Sequence, residues 1–319
     1  MEMTPTRLTA SLSAAGFVAS TLIAAPVDAD PTQVRYRTQT IDSIEIFYRE
    51  AGPPDAPAVL LLHGFPTSSH MFRDLIPRLA QRYHVVAPDY PGYGFSSAPS
   101  PTAFSYTFDH LAGIMDRFAQ AIGLGSYALY MQDFGGPVGF RMAVQHPERI
   151  SALIVQNANA YEEGLSPAMD AARPAWEQRT PETERTLRGF LTLDTTKFQY
   201  LHGARDPSRI SPDAWMHAQA GLDRKGNDEI QLALLHDYGS NPKQYPLWQS
   251  YLREHRPPTL VVWGKNDPFF TVAGARAYER DVPDSEIHLL ETGHFALEED
   301  ASTIAGIMLD FLDRRHVAR

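Results

Sequence analysis

The chain has 319 residues, 43% of them apolar and 21% charged, which is the make-up of a globular protein with a large core and not of a disordered segment. Its net charge at pH 7 is −10, and no cluster of Lys or Arg offsets it, so nothing attracts the surface to nucleic acid or to anionic membrane. With no cysteine, disulfides, thiolate metal sites and a cysteine nucleophile are all excluded.

In chain order, the first 29 residues stand apart. Arg7 is their only basic residue, and residues 8–25 run without charge, rich in Ala, Ser, Leu and Val. Val27-Asp28-Ala29 then places small residues where a signal peptidase cuts. The pattern predicts a secretory signal over 1–29, a mature chain starting near Asp30 and a periplasmic or secreted location. The stretch is too short and too rich in Ser and Thr for a stable membrane span.

From Val34 onward the pattern is that of strands, then of alternating strands and helices. Residues 34–40 and 43–49 alternate apolar and polar side chains and predict a hairpin. Residues 58–62 (Ala-Val-Leu-Leu-Leu) form a continuous apolar run, expected of a strand buried on both faces. Residues 84–88, 127–131, 152–155, 259–263 and 285–291 repeat that strand character, and 108–122 and 135–146 read as helices. Such alternation predicts an α/β fold, a mostly parallel sheet flanked by helices. One interval breaks the rhythm. Residues 160–257 hold no clear buried strand, are helical in composition, and carry the aromatics Trp176, Phe190, Phe198, Tyr200, Trp215, Tyr238, Tyr245 and Trp248 before Arg256-Pro257-Pro258 stops the segment. This predicts a helical cap over 160–257, inserted into a core made of 30–159 and 258–319.

The chemistry concentrates at strand ends. Tyr130-Met131-Gln132-Asp133-Phe134-Gly135-Gly136 carries a strand into a tight Gly-rich turn and then a helix, the setting of a nucleophile elbow. The residue at the tip is Asp133, and Gly135 lets the new helix pack close to the sheet. Met131 stands where a small residue is usual. His63-Gly64-Phe65-Pro66 follows an earlier strand, and Asp89-Tyr90-Pro91-Gly92-Tyr93-Gly94-Phe95-Ser96 follows the next. Gly264-Lys265-Asn266-Asp267 and Thr292-Gly293-His294-Phe295 each follow later strands, giving the chain order nucleophile, acid, histidine. Of twelve histidines, His294 alone lies between a strand end and a helix start within such a set.

These motifs together resemble the α/β-hydrolase superfamily, in the aspartate-nucleophile branch of epoxide hydrolases and haloalkane dehalogenases. The likeness runs from Ser43 to about Arg315 and is most specific over 63–73, 89–99, 131–149 and 263–298. It implies that Asp133 attacks an sp³ carbon and forms an alkyl ester. His294, oriented by Asp267, then activates water. The backbone N–H groups of Phe65 and Phe134 stabilise the oxyanion. No metal or organic cofactor is implied.

The two activities differ in how the leaving group is stabilised. Epoxide hydrolases use cap tyrosines as proton donors, and Tyr238 stands at about the expected distance before Asp267. No tyrosine falls early in the cap for the pair, leaving Tyr161, Tyr200, Tyr245 or His202 for that place. Dehalogenases use N–H donors, one of them a Trp directly after the nucleophile. Here Phe134 and Phe65 occupy the positions of two such donors, and neither side chain can donate a hydrogen bond. The leading expectation is therefore epoxide hydrolysis to a vicinal diol, with haloalkane dehalogenation second and a ligand-binding protein of this fold with little turnover third. His63, Trp176, Tyr200 and Tyr245 are the expected walls of a pocket for a small apolar or aromatic substrate. Substrate identity, stereochemistry and oligomeric state rest on the packing of the cap.

Overall fold

The computed structural model describes Met1, Glu2 and residues 30–315. The predicted signal peptide over 1–29 falls almost wholly outside the described residues.

Eight strands form one sheet: β1 (Arg35–Ile41), β2 (Ile44–Ala51), β3 (Ala58–Leu62), β4 (His84–Pro88), β5 (Tyr127–Gln132), β6 (Ile150–Gln156), β7 (Thr259–Gly264) and β8 (Glu286–Leu290). Their order across the sheet is β1-β2-β4-β3-β5-β6-β7-β8. β1 and β2 form an antiparallel hairpin, β2 runs antiparallel to β4, and every later pairing is parallel. At the hairpin turn Asp42 and Ser43 both have positive φ, 48° and 68°, which matches the right-handed twist of the paired strands.

The apolar runs at β3 to β7 are explained by burial on both faces. Leu60, Leu62, Val86, Leu129, Met131, Leu153 and Val155 face one core. Val59, Leu61, Val85, Ala87, Ala128, Tyr130 and Ile154 face the other. A period of two sorts these neighbours between the two layers. The helices Phe108–Ala121 and Gly135–Gln145 cover the first face, and Leu297–Arg314 covers the second.

Between β6 and β7 the described residues are helical: the longer helices are Pro181–Gly189, Leu193–Leu201, Pro212–Leu222, Asn227–Asp237 and Asn241–His255. The last lies along the helix Gly135–Gln145, where Trp248 stacks on Phe140 with ring centroids 5.2 Å apart. No helix among the described residues is long and apolar enough to cross a membrane.

Candidate active site

The parallel strands end on one edge of the sheet, and the loops that leave them carry the candidate residues. Asp133 directly follows β5, and with Phe134 it forms the turn into the helix Gly135–Gln145. Its φ is 49°, a left-handed conformation that costs a non-glycine residue energy and turns the side chain out of the strand line. The turn closes only because the next helix sits hard against the sheet: a Cβ on Gly135 would lie 2.4 Å from the carbonyl oxygen of Leu62 in β3. Met131, the unusual residue two before Asp133, is accommodated by a second glycine one turn further along the same helix. A Cβ on Gly139 would lie 2.5 Å from its sulfur.

The Asp133 carboxyl is held by backbone. Phe65 N–H donates to its Oδ1 at 2.7 Å, and the Phe134 N–H also bonds the carboxyl. Oδ2 faces His294, whose Nε2 lies 3.8 Å away. Burial pushes the Asp133 carboxyl up from its ordinary value, against the pull of the His294 ring and of the two N–H groups.

His294 follows β8 and is buried. Its Nδ1 donates to Asp267 Oδ2 at 2.8 Å. Asp267 follows β7 and is itself fully bonded: Oδ2 also accepts from Asn157 Nδ2 at 2.8 Å, and Oδ1 accepts from the Phe269 N–H at 2.7 Å. Asp267 thereby fixes the ring tautomer and leaves Nε2 as the unprotonated nitrogen of the neutral ring. Burial opposes the charged ring. The charge and hydrogen bond of Asp267, with the charge of Asp133, outweigh it and hold His294 above its ordinary value.

Two amides complete this arrangement, and neither stands out in the sequence. Asn157, directly after β6, has φ 43° and ties three parts together. Its carbonyl accepts from the Asp133 N–H, its Nδ2 reaches Asp267, and its Oδ1 accepts from the Gly264 N–H. Its one signal is a polar residue in the amide-rich run Gln156-Asn157-Ala158-Asn159 after an apolar strand. Gln132 Nε2 lies 3.1 Å from His294 Nε2, while its Oε1 is buried without a hydrogen-bond partner among the described residues. With Nδ1–H committed to Asp267, the ring accepts from this amide. Turned over, the same amide offers Oε1 to a protonated Nε2.

A cavity of about 30 Å³ opens above these groups. Phe65, Asp133, Phe134, Phe269, Phe270 and His294 line it from the sheet side. Met169, Ala172, Trp176, Phe190, Gln199, Leu235 and Tyr238 line it from the segment between β6 and β7. Tyr238 packs on Phe134 and Trp176, with ring centroids 5.9 and 5.2 Å away. Burial, then the neighbouring Tyr245 and Asp133, hold its hydroxyl well above the usual tyrosine value, so it is protonated at neutral pH. The residues brought to this cavity thus include Asp133, Phe65, Phe134, His294, Tyr238 and Trp176, with Asp267 behind His294.

Three expected wall residues lie elsewhere. Tyr245 stands behind Tyr238: its hydroxyl bonds the Tyr238 hydroxyl and accepts from Asn159 Nδ2 at 3.1 Å. Tyr200 points to the other layer and stacks on Phe295 at 4.1 Å, because one step along a helix turns a side chain by about 100° and leaves Gln199 on the cavity instead. His63 is buried beneath the first loop. Its Nε2 accepts from the Tyr90 N–H at 3.3 Å and its Nδ1 meets the Gly64 carbonyl at 3.0 Å. Burial pushes its pKa down, so it is a neutral brace between two loops and does not line the pocket. Among the described residues, no group of three or more His, Asp or Glu is placed to hold a metal ion.

A sequence profile of the alpha/beta hydrolase fold matches residues 57–301. An uncharacterized hydrolase of Saccharomyces cerevisiae is 41% identical over 274 residues, 85% of this chain and 94% of its own. Haloalkane dehalogenase 2 of Mycobacterium bovis is 36% identical over 130 residues, 40% of this chain and 44% of its own. Among solved structures, the haloalkane dehalogenase DatA of Agrobacterium tumefaciens C58 is similar in fold, with a TM-score of 0.74 at 23% identity over 88% of this chain and 97% of its own.

Proposed function

The chain belongs to the alpha/beta hydrolase fold family, and on that premise we propose that it is an aspartate-nucleophile hydrolase that opens epoxides to vicinal diols. In this reading Asp133 Oδ2 attacks a ring carbon and forms a C–O bond as the carbon–oxygen bond of the ring breaks. The electron pair passes to the leaving oxygen, which takes its proton from Tyr238. Asp133 Oδ1, already on the Phe65 N–H, becomes the carbonyl oxygen of the ester.

The second half is hydrolysis. His294 Nε2 takes a proton from water, and the hydroxide attacks Cγ of Asp133. The oxyanion rests on the N–H groups of Phe65 and Phe134. The ester C–O bond at Cγ then breaks, and the departing oxygen takes the proton of the hydroxyl just added, which releases the diol and restores the Asp133 carboxylate. Over the cycle, the proton that His294 takes replaces the one that Tyr238 gave. Asp267 and Asn157 position the base and touch no substrate. The helices between β6 and β7 serve as a cap whose apolar wall selects an apolar or aromatic substrate.

What supports the epoxide reading is Tyr238, which lines the same cavity as Asp133 and His294 and carries a hydroxyl able to give a proton. An alkoxide is a strong base and needs a proton, whereas a halide does not. Tyr238→Phe therefore slows opening of styrene oxide by about 10²- to 10⁴-fold and changes bromide release from 1-bromobutane little. An equal effect on both probes, or none on the epoxide, contradicts the assignment. Haloalkane hydrolysis is the second reading. It is favoured by the dehalogenase relative and by Trp176 on the cavity wall, which can offer an indole N–H to a halide.

A further inference from the structure

The cavity holds one polar group that neither step above uses. Gln199 lies in the helix Leu193–Leu201, is 3% exposed, and forms part of the cavity wall with Trp176, Phe269 and His294. Its Nε2 is buried with no hydrogen-bond partner among the described residues. An amide left so is costly, because the hydrogen bond it gave up to water is not replaced. Nearby Gln219 shows what a structural amide does in these helices: it accepts from Thr196 Oγ1 at 2.7 Å and donates to the Leu191 carbonyl at 3.1 Å. Gln199 has no such role to explain it, and the terminal torsion of a glutamine turns easily, so either end of the amide can face the cavity.

We infer that Gln199 is a leaving-group donor: its Nε2–H donates a hydrogen bond to the atom that departs from carbon when Asp133 attacks. The inference rests on the aspartate-nucleophile reading and extends it. The missing second cap tyrosine is then replaced by an amide. A tyrosine can give up its proton and an amide cannot. Gln199 thus stabilises the developing charge on the leaving atom, while Tyr238 alone protonates an epoxide oxygen. The ligand class follows from this division. An N–H without a transferable proton serves an alkoxide held next to Tyr238, and it serves a halide with no further help. It is buried and therefore acts at a dry site, where a hydrogen bond to a charged acceptor is strongest.

The test uses His294→Gln, which cannot complete hydrolysis, so that the rate of ester formation is read alone by intact mass with styrene oxide and with 1-bromobutane. Adding Gln199→Met, similar in shape but without an N–H, slows ester formation from both probes about 10- to 100-fold. The melting temperature stays level or rises, because an unpartnered buried amide has been replaced by an apolar group. Gln199→Ala supplies the same comparison if methionine packs badly. Ester formation within about twofold of the His294→Gln rate overturns the inference and leaves the nucleophile standing. No ester in His294→Gln itself removes the nucleophile, and the role of Gln199 with it.

Discussion

Asp133 and His294 have opposite requirements, and the residues around them answer each. In the proposed mechanism Asp133 must be ionised to attack, and two backbone N–H groups and the His294 ring work against the burial that raises its pKa. The base must be neutral to take a proton from water, yet Asp267 and Asp133 hold the ring above the ordinary histidine value of about 6.5. In the ester Asp133 carries no charge and Asp267 alone opposes burial, so ester hydrolysis increases as pH rises through the pKa that Asp267 gives His294. Asp267→Asn removes the carboxylate that overcomes burial, so the inflection moves to lower pH, and the hydrolysis rate falls on the order of 10³- to 10⁴-fold. Single-turnover hydrolysis measured against pH checks both parts, and an unmoved inflection contradicts the role given to Asp267. Asp133, Asp267 and His294 were legible in the sequence because each follows a readable strand in a fixed order. Asn157, Gln132 and Gln199 were not. An amide has no charge and no motif, and it acts through where it is placed. Gln199 and Tyr200 show the limit well: adjacent in sequence, they face different layers, and helix phase alone decides which one meets the cavity.

The elbow is an element whose parts only make sense together. β5 must run into a left-handed residue, the following helix must start at once, and its N-cap residue Phe134 must bring its N–H to the carboxyl. Gly135 supplies the approach to β3, and Gly139 supplies the room for Met131. Gly139→Ala therefore costs about 1–3 kcal/mol by overpacking. Combined with Met131→Ala it costs clearly less than the two single changes added together, since each relieves the other. Urea unfolding of the four proteins in this cycle measures the coupling, and simple additivity contradicts the account of how Met131 is tolerated. Strands were easy to read here because burial on both faces writes a continuous apolar run, as at β3 and β5. The helices between β6 and β7 were harder. Asn227–Asp237 buries Asn227 and Gln231 along with Ile230, Leu232, Leu234 and Leu235, so polar and apolar side chains share its hidden face and the 3.6-residue pattern is blurred.

At the scale of the whole molecule, the sheet order explains the site. β3, β5, β6, β7 and β8 are successive neighbours, so their C-terminal loops bring Phe65, Asp133, Asn157, Asp267 and His294 together from residues far apart in sequence. The segment between β6 and β7 closes over them and leaves a cavity of about 30 Å³. That space suits about one or two waters. All of this depends on one bond, that between Asp133 and the substrate carbon. The most direct measurement is the intact mass of His294→Gln after exposure to styrene oxide and, separately, to 1-bromobutane. The account predicts a stable gain equal to the whole epoxide, located on Asp133 by peptide mapping; a gain equal to the bromide less hydrogen bromide alone would move the assignment to dehalogenation. An unmodified Asp133 after both exposures, in a folded protein, would contradict the covalent mechanism itself.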